Sequence, residues 1–316
     1  MKCAVENISQ KIKRLSSNVQ KVIVGKDEAI ELAIAGLLSQ GHILIEDVPG
    51  VGKTMLGRAL ARSINGVFKR LQFTPDLLPS DITGSSIFDP KTREFEFKPG
   101  PIFGNIILAD EINRGTPRTQ SSLLECMNES QVTVDGVSHK LPHVFFVIAT
   151  QNPIELEGTY PLLISELDRF TMRIKMGYPD KKDEEKMVAS HRLSHPIDSL
   201  GPVMELDELA ELQERVKNVL VDDSINSYIV DIVSATRNSE AINLGASPRS
   251  ALFLYRASQA NALLKGRDFC IPDDVKEMVI HVLSLRIMPS GGAVHQIREL
   301  QEELIRDIVS RIRVPM

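Results

Sequence analysis

The densest chemistry in this 316-residue chain lies in Asp47-Val-Pro-Gly-Val-Gly-Lys-Thr54. Glycines at 50 and 52 let backbone N–H groups turn inward around phosphate oxygens. A helix opening at the lysine would add the partial positive charge of its N-terminus. Lys53 can reach the β- and γ-phosphates of a nucleotide, and the Thr54 hydroxyl can ligate Mg²⁺. The strict GxxxxGK[ST] pattern has glycine where Asp47 stands, and a glycine-rich turn that binds nothing is the alternative. Further on, Ile106-Ile-Leu-Ala-Asp110-Glu111 is an apolar run that ends in two acids. If they face the loop, Asp110 would hold the metal shell and Glu111 would orient and polarise an attacking water. Taken alone, such an ending also suits a strand that simply reaches the surface. The glutamate separates a hydrolase from a nucleotide kinase or a GTP switch. A third run, VFFVIAT at 144–150, leads into Gln151-Asn152-Pro153. Asn152 would then stand near the γ-phosphate, or only form a turn before proline.

These groups can meet only if several strands end at one edge of a sheet. The first two-thirds of the chain supports that, because short β-like runs alternate with helical patterns, the signature of a parallel α/β sheet. Strands are expected at 42–46, 68–73, 106–110, 144–150 and 171–176. Helices are expected at 27–39, where Ala29, Ile30, Ala33, Ile34, Leu37 and Leu38 recur at helical spacing, and at 54–64. Between 74 and 104 the chain is irregular, yet 84–88 and 94–97 flank a polar turn and suggest a hairpin. Residues 131–134 and 137–141 flank Asp135-Gly136 and suggest a second. Thr116 can cap a helix with Pro117 at its first position, running to about Asn128. After Met176 no buried strand is evident. Helices are expected near 181–191, 207–219, 225–236, 248–264, 272–283 and 294–311. A linker at 194–202, holding Pro196, Gly201 and Pro202, would separate an α/β domain (1–195) from a smaller all-α domain (202–316).

Composition narrows the remaining classes. Lys and Arg number 37 and Asp and Glu 42, a net charge of −5, which argues against a dedicated nucleic-acid surface. Trp is absent and aromatic residues make up 5%, so base-stacking platforms are not expected. No run approaches the ~20 apolar residues of a membrane span, and residues 1–21 lack the apolar segment of a secretory signal. Cys3, Cys126 and Cys270 are scattered, which fits thiols in a reducing cytoplasm rather than a disulfide framework. The histidines, His42, His139, His143, His191, His195, His281 and His295, show no metal-ligand spacing and read as structural or solvent-facing.

Together the motifs spell a family. Residues 45–54, then Leu108-Ala-Asp-Glu-Ile-Asn-Arg114, Thr119-Gln120, Gln131-Val-Thr-Val-Asp-Gly136 and Ala149-Thr-Gln-Asn-Pro-Ile-Glu155 closely resemble the MoxR family of AAA+ ATPases. So do Glu157-Gly-Thr-Tyr-Pro161, Leu167-Asp-Arg-Phe170 and Ala246-Ser-Pro-Arg249, in order over nearly the whole chain. Aspartate at 47 is common in that family. Leu163-Ile164 stands where it usually has Pro-Glu, and Lys26 where glutamine is frequent.

The resemblance implies an AAA+ P-loop core with two hairpin insertions and a helical lid. ATP and Mg²⁺ would lie between core and lid, usually in a hexameric ring. It implies nucleotide contacts at Val24, Gly25, Pro49, Gly50, Val51, Gly52, Lys53, Thr54, Met55 and Asp110, with Thr54 and Asp110 on the metal. It assigns catalysis to Glu111, γ-phosphate sensing to Asn152, a finger reaching the neighbour's γ-phosphate to Arg169 and a lid sensor to Arg249; a guanidinium suits such roles because it is always charged and forked. Surface salt bridges are the plain alternative for both arginines, and for Arg114 near the interface. The hairpins resemble pore-facing insertions, with Phe88, Phe95 and Phe97 as tips or as packed rings. The implied activity is ATP hydrolysis coupled to chaperone-like assembly or activation of client protein complexes. A protein with a von Willebrand factor A domain is the expected partner. A magnesium-chelatase-like motor subunit and a nucleotide-gated scaffold with negligible turnover remain as rivals.

Overall fold

Ile43–Glu46, Ile106–Asp110 and Phe146–Gln151 are apolar at consecutive positions, so each needs cover on both faces. The computed structural model, which describes residues 2–153, 158–190, 195–291 and 296–315, provides that cover. These strands form the centre of a five-stranded parallel sheet, in the order Phe68–Gln72, Ile106–Asp110, Phe146–Gln151, Ile43–Glu46, Met172–Ile174. All five lie where the sequence pattern places them, with ends shifted by a residue or two. The edge strand Phe68–Gln72 exposes Lys69 and Arg70, charges that discourage pairing with another chain.

Successive residues serve opposite faces, as a two-residue period requires. Ile43, Ile45, Ile106, Leu108, Phe146 and Ile148 pack into one core, shared with Ile30, Ile34, Leu56 and Leu60 of the helices Asp27–Leu38 and Lys53–Ser63. Leu44, Ile107, Ala109, Val147 and Ala149 pack into the other, against Leu123, Leu124 and Met127 of the helix Pro117–Glu129. Thr116 caps that helix by accepting the Thr119 N–H, with Pro117 in its first turn. Both hairpins form, Gly84–Asp89 with Glu94–Pro99 and Gln131–Val134 with Val137–Lys140. The second turns on Asp135 (φ 51°) and Gly136 (φ 78°), the left-handed pair that Asp-Gly permits.

The C-terminal part is built on the helices Lys181–Ser190, Leu206–Lys217, Asp223–Asn238, Pro248–Leu264, Pro272–Leu283 and Ile297–Arg311. One expectation needs correction here. Ile242–Leu244 and Met288–Pro289 pair as a small antiparallel ribbon, too short to leave an alternating pattern. Residues 195–202, read as a linker, are firmly held. Ile197 and Leu200 are buried, the Asn18 amide donates to the Gly201 carbonyl, and Arg62 donates to the Ile197 carbonyl. An N-terminal helix, Lys2–Gln20, not anticipated above, buries Ile12, Leu15 and Val19 in the first core. That same core includes Leu254, Ala257 and Val279 of the C-terminal helices. His191 and His295 lie outside the described residues, as do the starts expected for the last helix and for the linker.

His42 is fully structural. It is 7% exposed, its Nδ1 accepts the Val147 N–H at 3.1 Å, and its Nε2 therefore carries the proton toward the Met127 carbonyl at 3.2 Å. Burial pushes its pKa down to about 4, the carbonyl opposing weakly. The unfolded chain, with an ordinary imidazole, binds the proton first, so stability is lost as pH falls from about 6.5 to 4. Urea unfolding should register this as about 3 kcal/mol of pH-dependent loss, and a His42→Asn variant should lack it. Equal pH slopes for both proteins would contradict the assignment.

Candidate active site

The parallel register brings the carboxyl ends of four strands to one edge, with Glu46 opposite Gln151 and Gln72 opposite Asp110. Ligands of open α/β sheets bind along this edge. The loop after Ile43–Glu46 leads straight into the helix Lys53–Ser63. Gly50 and Gly52 have φ of 84° and 93°. A Cβ on Gly50 would meet nothing within 4 Å, so the left-handed backbone itself, rather than crowding, calls for glycine.

Asp47 has a clear structural reason. Its carboxylate accepts the N–H of Val48 at 2.8 Å and of Met176 at 2.7 Å, and also that of Gly177. It thereby pins the loop to the chain leaving the edge strand Met172–Ile174. Lys53 Nζ donates to the Asp47 carbonyl at 2.6 Å. Burial draws the ammonium below its ordinary range, while Asp47, Asp110 and Glu111 act in the opposite direction.

Pro49, Gly50, Gly52, Lys53, Thr54 and Met55 line a cavity of about 320 Å³, with Asp110, Glu111, Thr150 and Asn152 closing it. A second cavity of about 430 Å³ continues from it past Val51 and Met55 to Val22, Ile23, Val24 and Lys26 on one side and Tyr178 and Met187 on the other. Its walls are mainly apolar, as a flat base requires. Gly25 (φ +70°) lies against Asp183, whose carboxylate would stand 2.1 Å from any added Cβ. Thr54 and Asp110 offer hydroxyl and carboxylate oxygens in the first cavity, a hard donor pair that suits Mg²⁺.

The two acids are held by partners that sequence reasoning missed. Thr150, 1% exposed, donates its hydroxyl to Asp110 at 2.7 Å and accepts the Glu111 N–H at 2.9 Å. Arg70 pairs with Asp110 at 2.7 Å, and Gln72 donates to Glu111 at 2.9 Å. Arg114, expected near an interface, pairs with Glu111 at 3.1 Å within the chain. Glu111 itself has φ 56° and ψ 51°, a conformation uncommon for a residue with a side chain and often found where function demands it. Alternating polar residues at 70 and 72, ending an edge strand, were the available signal.

Arg169 and Arg249 line neither cavity. Arg169 is half-buried and donates to the Leu124 carbonyl at 3.1 Å; Arg249 is exposed, 5.9 Å from the Phe253 ring. At the hairpins, Phe88 and Phe95 are exposed and in mutual contact, with ring centres 5.4 Å apart. Phe97 is a packed ring rather than a tip, stacked on His139 at 3.9 Å and edge-on to Phe103.

A loop, a lysine and a strand-end acid pair at one sheet edge, with helices packed beside it, define a P-loop nucleotide-binding architecture. Residues 42–172 match the family model for the ATPase family associated with various cellular activities (AAA), and residues 234–308 match the AAA lid domain. The chain is 40% identical to the chaperone MoxR1 of Mycobacterium tuberculosis, over 93% of this chain and 79% of that one. It is 50% identical to the uncharacterised protein YeaC of Bacillus subtilis, over 98% and 97%. Protein MoxR of Methylorubrum extorquens is 29% identical over 96% and 94%. The crystal structure of a candidate ATPase from Cytophaga hutchinsonii superposes with a TM-score of 0.88 at 35% identity, covering 99% of this chain and 97% of that one. The chain belongs to the MoxR family of AAA+ ATPases.

Thr150→Val keeps the shape but strands the partly buried Glu111 N–H and removes a donor to Asp110. Chemical denaturation should show a loss of about 1–3 kcal/mol. A change within error would contradict the role given to the hydroxyl.

Proposed function

We propose that this protein hydrolyses ATP at a site shared between neighbouring subunits of a ring, and uses the cycle to remodel or activate client protein complexes. The observation that carries this reading is the division of charges. Lys53, Thr54, Asp110, Glu111 and Asn152 converge on one cavity, while Arg169 and Arg249 stand apart from it in the same chain. A triphosphate needs more positive charge than Lys53 and the loop provide, and arginines from the next subunit would supply it.

In this scheme the loop N–H groups and Lys53 bind the phosphates. The Val24–Gly25 turn and Met55 hold the base. Thr54 and Asp110 would hold Mg²⁺, which would supply positive charge to offset that of the phosphates. Glu111 takes a proton from the attacking water as the bond from the γ-phosphorus to the bridging oxygen breaks, leaving ADP and phosphate. Asn152 registers the γ-phosphate from its strand end. The arginines stabilise the developing charge from across the seam.

A hexamer is the assembly we favour, with a von Willebrand factor A domain protein as a partner. The name of the Mycobacterium tuberculosis relative supports a chaperone-like role. We divide the chain into a nucleotide-binding part, 1–195, and a lid, 202–316. No helix among the described residues is long and apolar enough to cross a membrane. A cytoplasmic location is the reading we favour, and the scattered cysteines Cys126 and Cys270, both free, are compatible with it.

Glu111→Gln should bind Mg-ATP with unchanged affinity in calorimetry while phosphate release falls by about 10²–10⁴. Undiminished release would refute the assignment of Glu111 and favour a different base.

A further inference from the structure

We propose that Arg286 is a positioning residue that joins Arg169 and Arg249 into one unit, so that a chain presents both guanidiniums to its neighbour's nucleotide together. This rests on the reading that those two arginines act across a subunit seam.

Arg286 is 2% exposed, among the largest fully buried side chains of the protein. Its Nε donates to Asp168 Oδ1 at 2.9 Å. Its Nη1 donates to the Thr171 carbonyl at 3.2 Å and to that of Val282, and its Nη2 to that of Phe170. The guanidinium also lies over the Phe253 ring, 4.6 Å from its centre. One planar fork thus grips residues 168–171, the segment that contains Arg169, and two helices of the C-terminal part. A lysine could not make these divergent contacts at once.

Asp168 completes the join. Its second oxygen accepts the Ser247 hydroxyl at 3.1 Å. Ser247 caps the helix Pro248–Leu264, and Arg249 is the second residue of that helix. Asp168 adjoins Arg169 directly in the chain. One carboxylate therefore sets the start of both arginine-bearing segments, and Phe253 lies within cation–π reach of Arg249 as well as Arg286. None of Asp168, Arg286 and Ser247 lines the nucleotide cavities of its own chain. An ion pair whose guanidinium is buried and whose carboxylate is partly exposed is a poor device for stability alone, because well-packed apolar residues often do as well. What this one achieves is alignment. Burial lowers the Arg286 pKa to about 10, with Asp168 opposing the fall, so the charge persists at neutral pH.

The test uses the full chain carrying Asp168→Asn, which keeps the shape but removes the charge that anchors Arg286. Mg-ATP affinity should be unchanged and turnover should fall roughly ten- to a hundredfold, the scale of a small misplacement of catalytic groups. Lys53→Ala chains have sound seam arginines and a dead pocket. Mixed in equal amounts with Asp168→Asn, they should restore about a quarter of the wild-type rate, the share of random seams pairing a sound pocket with sound arginines. Arg286→Lys should behave in the same way. The parallel mixture of Arg169→Ala with Lys53→Ala separates the two levels. If that mixture stays silent, the two-chain site fails and the positioning role with it. If it recovers while the Asp168→Asn mixture does not, only the positioning role is overturned. Wild-type turnover in Asp168→Asn would also overturn it, as would loss of Mg-ATP binding in both variants, which would assign the network to folding alone.

Discussion

Everything at this site depends on one alignment, the parallel register that ends four strands at the same level. Glu46, Gln72, Asp110 and Gln151 stand at that edge because their strands pair residue for residue. A slip of a single residue would turn each acid to the opposite face of the sheet. Asp47 extends the alignment beyond the strands by binding backbone N–H groups at positions 48, 176 and 177. The phosphate loop is thus fixed at its entry while its glycines leave it free to curve.

A second constraint is electrostatic. The loop, its helix N-terminus and Lys53 make one end of the cavity positive, and Asp110 and Glu111 make the other end negative. Groups of opposite charge around one cavity keep their places when each has partners of its own. Arg70, Gln72, Arg114 and Thr150 provide those partners for the acids, and the Asp47 carbonyl does so for Lys53. Glu46 plays a comparable part behind the loop, where buried Arg173 pairs with it at 3.1 Å and Arg298 of the last helix donates to its carbonyl at 2.7 Å. The C-terminal helices therefore touch the root of the phosphate loop as well as the arginine-bearing segment. The loop root and the arginine-bearing segment are thus tied to the same set of helices.

Much of this was legible in the residues. The five strands and both hairpins announce themselves by apolar runs and by turn chemistry such as Asp135-Gly136. The cavity-forming set is legible because phosphate binding demands glycine, lysine and hydroxyl at fixed spacing. The helix Lys2–Gln20 was legible, since Ile8, Ile12, Leu15 and Val19 recur at helical spacing, and it was overlooked rather than hidden. What stayed hidden has physical reasons. The Ile242–Leu244 ribbon is shorter than one alternation pattern. Thr150, Arg70 and Arg286 act through long-range partners, which no local spacing encodes. Phe97 stayed open between a tip and a packed ring, because a strand pattern does not reveal that a second hairpin stacks against it.

The central claim is that each chain holds only half of a working site, with the pocket on one surface and the completing charges on another. Specific ATPase rate measured against protein concentration tests this most directly. The account predicts a rate per chain that climbs from near zero on dilution to a plateau as assembly, followed in parallel by light scattering, becomes complete. A rate per chain that stays constant through dilution to monomer would contradict it.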